Sequence, residues 1–258
     1  MEKIQQIYKV VANEKLCPQF WRLSFEAPEL AKEVKPGQFV HIRTNEGFEP
    51  FFRRPFSVYR VYHHRVDIFY EAVGPGTRLL SKKQKGDTLD VLGPLGTPFM
   101  MPPEGVKQVV MIAGGIGVAP MLILSDILKK KKLELILLYG GRTRAHVYPM
   151  TEFKENEVKI HIATDDGSLG FKGRVSGLFN KINLNPQTTF LYTCGPHPMM
   201  KAVQDFAKQY GLKGQAACEE TMACALGACL GCSIPTTNGY KTVCYDGPAF
   251  NLEEIIFH

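Results

Sequence analysis

Residues 109–120 read VVMIAGGIGVAP. The first five, Val109 to Ala113, are apolar without interruption, as expected for a strand buried on both faces. Gly114, Gly115 and Gly117 follow, and a helical pattern runs from about Ala119 to Lys131. Strand, glycine-rich turn and helix open a dinucleotide-binding unit, in which the bare turn lets phosphate approach a helix N-terminus. The turn departs from G-x-G-x-x-G, because Pro120 stands where the third glycine belongs.

Outward from this stretch the rhythm continues. LELILLYG (133–140), VKIHIAT (158–164) and TTFLYTC (188–194) read as further buried strands, with helical patterns near 174–182 and 197–210. Such alternation predicts a parallel α/β sheet. Thr193-Cys194-Gly195-Pro196 ends the last of these strands, and ligands of open α/β sheets bind beyond the carboxyl ends of strands. Gly114, Gly115, Gly117, Cys194, Gly195 and Pro196 are therefore candidates to face one nicotinamide nucleotide.

Before Met101-Pro102-Pro103 the chain reads as β. β-rich stretches fall at about 4–12, 20–26, 38–43, 56–62, 65–73 and 88–92. They are separated by Ala27-Pro28, Lys35-Pro36-Gly37, Gly74-Pro75-Gly76, Lys85-Gly86-Asp87 and Gly93-Pro94. Six short strands predict a small antiparallel barrel, whose closure removes exposed edges. One short helix is expected from Thr77 to Ser81. The chain is thus expected to be multidomain: a barrel over 1–100, an α/β nicotinamide domain over 101–215 and a cysteine-bearing segment over 216–258. The last has too little apolar mass to fold without a metal.

That segment carries Cys224, Cys229, Cys232 and Cys244, a C-x4-C-x2-C-x11-C pattern within 21 residues. The C-x4-C-x2-C core is the plant-type spacing for a [2Fe–2S] cluster. A structural zinc site would prefer two C-x2-C arms where this chain has one, and a pair of disulfides needs an oxidising compartment. Gly227 and Gly231 lie inside the loop, where little side-chain bulk leaves amides free to turn toward sulfur.

Arg54-Pro55-Phe56-Ser57 is the second constellation. It reads as a proline-stiffened turn at the end of a barrel strand. Arg54 suits a pyrophosphate and Ser57 a flavin ring, although a surface turn has the same letters. Phe69-Tyr70-Glu71 ends a strand nearby, and Gly74-Pro75-Gly76-Thr77 leads into a helix start that suits phosphate.

The composition is that of an ordinary globular chain: 258 residues, 45 % hydrophobic, 22 % charged and a net charge of +6. The run Lys129 to Lys132 closes a predicted helix, where cations favour the macrodipole. No basic–aromatic pattern argues for nucleic acid. No apolar run reaches the roughly 20 residues of a membrane span. MEKIQQIYKV lacks the apolar centre of an export signal, so a cytoplasmic location is expected, with seven cysteines available to metal.

In order and spacing, R-P-F-S, G-x-G-T, G-G-x-G-x-A-P and C-G-P resemble the ferredoxin–NADP reductase superfamily over residues 1 to about 212. The tail, EETMACALGACLGC (219–232) and then CYDGPAF (244–250), is similar to the electron transfer subunits of NAD-linked, two-subunit dihydroorotate dehydrogenases. With it the resemblance spans the chain.

The resemblance implies FAD on Arg54, Pro55, Phe56, Ser57, Phe69, Tyr70, Glu71, Gly76 and Thr77, and a [2Fe–2S] cluster on the four cysteines. It implies an FMN-containing catalytic partner, two of each subunit in a heterotetramer, and NAD as acceptor in pyrimidine biosynthesis. Dihydroorotate would be oxidised on the partner, so this chain supplies no catalytic acid or base. The pattern departs at Ala225, where glycine is expected, and at the additional thiol Cys218.

Two other readings share the motifs. One is the flavin and iron–sulfur subunit of a sulfhydrogenase or ferredoxin-linked NAD(P)H transhydrogenase, and the other a metal-stabilised binding module without turnover. Arg142 and Arg144 suit a 2′-phosphate whereas Asp165 and Asp166 repel it, and the resemblance favours NAD. Cys194 is either near the nicotinamide or a buried apolar thiol. Cys17 and Cys218 read as structural, and Cys218 lies close enough to the loop to replace a ligand. His63-His64 read as a solvated hairpin turn, His197 as a helix-start residue and Trp21 as core packing.

Overall fold

The structure is a computed structural model describing residues 3–148 and 150–257, so positions 1 and 258, which bound the expected segments, lie outside it. Alternating burial organises the first hundred residues. β1 (Ile4–Lys15), β2 (Phe20–Glu26), β3 (Phe39–Arg43), β4 (Arg54–Tyr62), β5 (Arg65–Glu71) and β6 (Thr88–Leu95) close into a barrel in the order β1-β2-β5-β4-β3-β6. Every pair is antiparallel. Leu23, Val40, Ile42, Val58 and Ile68 point inward and are fully buried.

Two helices sit in the barrel connections, α1 (Pro28–Glu33) and α2 (Pro75–Leu80). Ala27-Pro28 is thus a helix start rather than only a turn, and buried Leu30 joins the barrel core. A proline in the first turn fits because that position has no intrahelical N–H bond to lose. The same reason starts α2 at Pro75, two residues before the expected Thr77, whose Oγ1 accepts from the Gly74 N–H at 3.0 Å. Arg54 and Pro55 belong to the start of β4 and pair with Ile42 and His41, so the expected turn at these residues is a strand opening.

After residue 100 the chain alternates as expected. β7 (Gln108–Gly114) leads through a 3-10 turn into α3 (Ala119–Leu128). β8 (Glu134–Gly141), α4 (Thr151–Glu155), β9 (Lys159–Thr164), β10 (Phe171–Lys172), β11 (Thr189–Cys194), α5 (His197–Tyr210) and β12 (Lys213–Ala217) follow. The stretch near 174–182 is a 3-10 helix, Val175–Lys181, containing Gly177, which packs against the Phe171 ring and is a weak helix former.

The cysteine-bearing segment contributes a hairpin, β13 (Ser233–Thr236) and β14 (Gly239–Thr242), and then β15 (Ala249–Asn251). β15 adds antiparallel to β12, giving the sheet order β10-β9-β8-β7-β11-β12-β15. The expected boundary at 215/216 falls within β12. Thr97, on the connection from barrel to sheet, donates its N–H to the Gly247 carbonyl at 2.5 Å, so the barrel segment and the cysteine-bearing segment meet there.

A polar seam joins barrel to sheet. Arg60 of β4 donates from Nε and Nη2 to Asp126 of α3 at 2.9 and 3.0 Å, and Asn156 Nδ2 donates to the same carboxylate at 2.8 Å. His63 and His64 are exposed in the β4–β5 hairpin, and Trp21 is half-buried at the edge of the barrel core, its ring 6.5 Å from that of Tyr70. Among the described residues no helix is long and apolar enough to cross a membrane.

Candidate flavin, nicotinamide and iron–sulfur site

A cleft of about 530 Å³ opens where the barrel, the sheet and the cysteine-bearing segment meet. Pro55, Phe56 and Ser57 of β4 and Phe69, Tyr70 and Glu71 of β5 form one wall. Phe56 and Tyr70 meet edge to face at 5.8 Å, and the Tyr70 hydroxyl donates to Asn13 Oδ1 at 3.0 Å, which fixes an apolar, planar surface. Six of the nine residues expected to hold FAD therefore line one cavity.

Arg54 and Gly76 stand beside it, brought together across the barrel mouth. A Cβ on Gly76 would lie 3.3 Å from Arg54 Cγ and Nε and 3.1 Å from Thr44 Oγ1. Thr44 is 2 % exposed, and its hydroxyl has no hydrogen-bond partner among the described residues. An unpaired buried hydroxyl, a guanidinium and a bare glycine at a helix start fit a phosphate, which would satisfy all three. Thr77 is occupied with the Gly74 cap and stands next to this group.

The nicotinamide candidates do not line this cleft themselves; their neighbours Ile116, Ala119 and His197 form its opposite wall. Ala113 and Cys194 are partners across β7 and β11, so their following turns emerge side by side. The contact is backbone on backbone: a Cβ on Gly117 would strike the Cys194 carbonyl, and one on Gly195 would lie 2.9 Å from the Gly114 N. A Cβ on Gly114 would lie 2.9 Å from Pro196 Cδ. Gly115, at φ 55°, has open space beside it. Arg144 and Asp166 lie on adjoining loops, stitched by Ser168. Its Oγ accepts from the Arg144 N–H at 2.7 Å and donates to Asp166 Oδ1 at 2.6 Å.

The third wall was not anticipated. Cys218, Glu219, Glu220, Thr221 and Met222 leave β12 and border the cleft with His197 and Pro248. Cys194 Sγ donates to Glu219 Oε1 at 3.6 Å. Burial and the neighbouring Glu219 push the Cys194 thiol up, and burial also raises the Glu219 carboxyl, against the opposing pull of Cys194 and His197. Burial and Glu220 push Cys218 up to about 12. Both thiols are therefore neutral groups at pH 7. The available signal for Glu219 was its place just past the carboxyl end of a strand beside β11.

The four cysteines of the pattern converge behind that wall. Cys232 and Cys244 are buried, Cys224 is half-buried and Cys229 exposed. The N–H groups of Leu226 and Cys229 point at Cys224 Sγ, both at 3.4 Å. Gly227 N–H points at Cys244 Sγ at 3.2 Å, and Cys244 N–H at Cys232 Sγ at 3.4 Å. Burial raises the Cys224 thiol, but the backbone donors outweigh it and bring it down to about 6.

The loop achieves this through left-handed residues: Ala225 at φ 56°, Gly227 at 79° and Leu230 at 58°. Ala225 thus occupies a position that glycine suits, and its single methyl is tolerated. Cys224 interacts with the Cys229 side chain, and Cys244 with both Cys232 and Cys224, so the four thiols form one linked group. Among the described residues no three His, Cys, Asp or Glu gather round a single metal ion. Amides aimed at the sulfurs of Cys224, Cys232 and Cys244, together with the C-x4-C-x2-C spacing, fit a two-iron cluster.

Comparison with known proteins agrees with this layout. Residues 219–256 match the family described as the iron-sulfur cluster binding domain of dihydroorotate dehydrogenase B, and 111–205 the oxidoreductase NAD-binding domain. The chain is 35 % identical to the dihydroorotate dehydrogenase B (NAD(+)) electron transfer subunit of Desulforamulus reducens, covering 96 % of this chain and 97 % of that protein. It is 37 % identical to the subunit of the same name from Geobacillus thermodenitrificans, with 96 % of each covered.

Among solved structures, an NADH-dependent reduced ferredoxin–NADP oxidoreductase superposes with a TM-score of 0.87 at 29 % identity, covering 98 % of this chain and 90 % of that one. A ferredoxin–NADP+ reductase from Neisseria gonorrhoeae with bound FAD and NADP gives 0.69 at 22 % identity, over 80 % and 92 %, and shares the fold.

Proposed function

Because the chain belongs to the family of dihydroorotate dehydrogenase B electron transfer subunits, we propose that it carries electrons from dihydroorotate oxidation to NAD in pyrimidine biosynthesis. The donor is an FMN-containing catalytic partner, with two copies of each subunit assembled. One observation carries the reading: the segments that flank the cysteine loop on both sides line the flavin cleft. Met222 lines the cleft two residues before Cys224, and Pro248 lines it four residues after Cys244.

When bound, FAD and a [2Fe–2S] cluster supply the exchange between two-electron hydride chemistry and one-electron transfer. This chain's residues bind, orient and insulate. Arg54, Thr44 and Gly76 would hold the pyrophosphate, and Ser57 would offer a hydroxyl to the flavin. Phe56 and Tyr70 keep water from its face. Gly114, Gly117 and Gly195 let the two turns pack closely, and Gly115 leaves open space beside which a nicotinamide nucleotide would approach. Cys194, held neutral by burial and by the neighbouring Glu219, adds no negative charge at that junction. The Leu226, Gly227, Cys229 and Cys244 amides donate to cysteine sulfurs that would hold the cluster.

Exposed Cys229, Leu226, Leu230 and Tyr245 form the outer surface of the loop, an apolar face that suits the catalytic partner. Co-expression with a candidate catalytic chain tests the reading. A complex that reduces NAD with dihydroorotate is expected. Recovery of a hydrogenase or glutamate-synthase-like partner instead would contradict it and favour the transhydrogenase reading.

A further inference from the structure

The loop between β3 and β4 carries Phe48, Phe51 and Phe52, which are 84, 68 and 52 % exposed. Phe51 and Phe52 meet edge to face at 5.3 Å and 78°. We propose that Phe51 and Phe52 are the stacking platform for the adenine of FAD, and that they set the preference of this chain for FAD over FMN. The proposal rests on the reading that Arg54 clamps the pyrophosphate.

Position argues first. Arg54 Nη1 donates to the Phe52 carbonyl at 2.6 Å and to the Arg53 carbonyl at 3.2 Å, so its guanidinium lies against the backbone of the aromatic pair. Arg53 is drawn elsewhere, to the Asp90 carboxylate at 2.5 Å and the Asp90 carbonyl at 2.8 Å. Arg54 is therefore the cation that faces Gly76 and Thr44. From Arg54 back to Phe52 is two residues, a reach of roughly 7 Å in extended chain, which one ribose bridges. The flavin wall at Pro55, Phe56 and Ser57 lies on the other side of Arg54. Ring, phosphates and base would thus follow the chain from Ser57 to Phe51.

Chemistry argues second. Adenine presents a flat π-face to which an aromatic pair binds through stacking. Glu46 and Glu49 share the loop and would repel a further phosphate, leaving an uncharged ring as the suitable occupant. An apolar face of the catalytic partner is the competing occupant.

Flavin-stripped full-length chain, titrated with FAD and separately with FMN while following flavin fluorescence, decides between them. Phe51→Ala/Phe52→Ala is expected to raise the Kd for FAD roughly tenfold or more, with the Kd for FMN changed less than about twofold. Phe51→Tyr/Phe52→Tyr should restore FAD binding. Equal weakening of both flavins, or no change in either, overturns the proposal. Loss of the catalytic partner with unchanged FAD affinity also overturns it, in favour of a protein contact. If the double variant does not fold by circular dichroism, Phe51→Ala alone reads the same contrast. Arg54→Ala is expected to weaken FAD and FMN together. If it weakens neither, the pyrophosphate reading fails whatever the aromatic variants show.

Discussion

Cys194 Sγ donates to Glu219 Oε1 across 3.6 Å, joining the end of β11 to the first residues beyond β12 at the floor of the cleft. Burial is the main reason the thiol resists ionisation, and the Glu219 charge adds to it. Glu219→Gln removes that charge while keeping the shape. Alkylation of Cys194 at pH 8.5, followed on its own peptide by mass spectrometry, is expected to rise several-fold in the variant. An unchanged or slower rate would show that Glu219 does not act on the thiol.

The two nicotinamide turns give a steric contrast. A Cβ on Gly117 would collide with the Cys194 carbonyl, whereas Gly115 has open space and only a left-handed φ of 55°. Gly117→Ala is expected to lower stability by about 1–3 kcal/mol through overpacking, and to weaken NADH binding. Gly115→Ala meets only backbone strain, about 1–2 kcal/mol, with a smaller effect on the neighbouring turn. Urea midpoints and NADH titrations of the two variants check the order, which the account requires to be Gly117 above Gly115 for NADH binding.

His41 makes stability depend on pH. It is 1 % exposed on β3, and burial, assisted by the Arg53 and Arg54 charges, brings it from 6.5 to about 4. The unfolded chain therefore takes up the proton first as pH falls. The stabilising contribution is complete above about pH 6.5 and is lost progressively toward pH 4, amounting to roughly 2 kcal/mol by pH 5. Urea midpoints at pH 7.5 and 5 should show a smaller pH-dependent loss in His41→Gln than in the unaltered chain. Equal losses would remove His41 as the cause.

The Arg60–Asp126 seam offers a domain-level test. Arg60 is largely buried, so Asp126→Ala leaves a guanidinium short of its partner and is expected to destabilise by about 2 kcal/mol or more. Arg60→Leu in the same background should recover part of that loss. Denaturant unfolding that shows no recovery would mean packing, not charge, governs the seam.

Long apolar runs made the sheet legible, because a strand buried on both faces has no polar alternation to mistake for something else. The 133–140 and 158–164 runs became β8 and β9 within a residue. Short elements were not legible. β15 has three residues and α4 five, too few for a period to emerge, and both are held by neighbours rather than by their own sequence. The cysteine spacing is a local signal and reads directly. The approach of Thr44 and Arg54 to Gly76 depends on barrel closure, and Glu219 depends on β12 lying beside β11. Neither relationship is written in adjacent residues.

The central claim is that the four-cysteine loop holds a di-iron cluster in electronic contact with the flavin cleft. Anaerobically purified chain, mixed with NADH without any partner and followed across the visible spectrum, tests it most directly. Flavin and iron–sulfur absorbance should both bleach, and Cys229→Ser should lose the cluster absorbance while its flavin still bleaches. Iron-free protein, a cluster that stays oxidised after the flavin is reduced, or a Cys229→Ser variant with an intact cluster spectrum would contradict it.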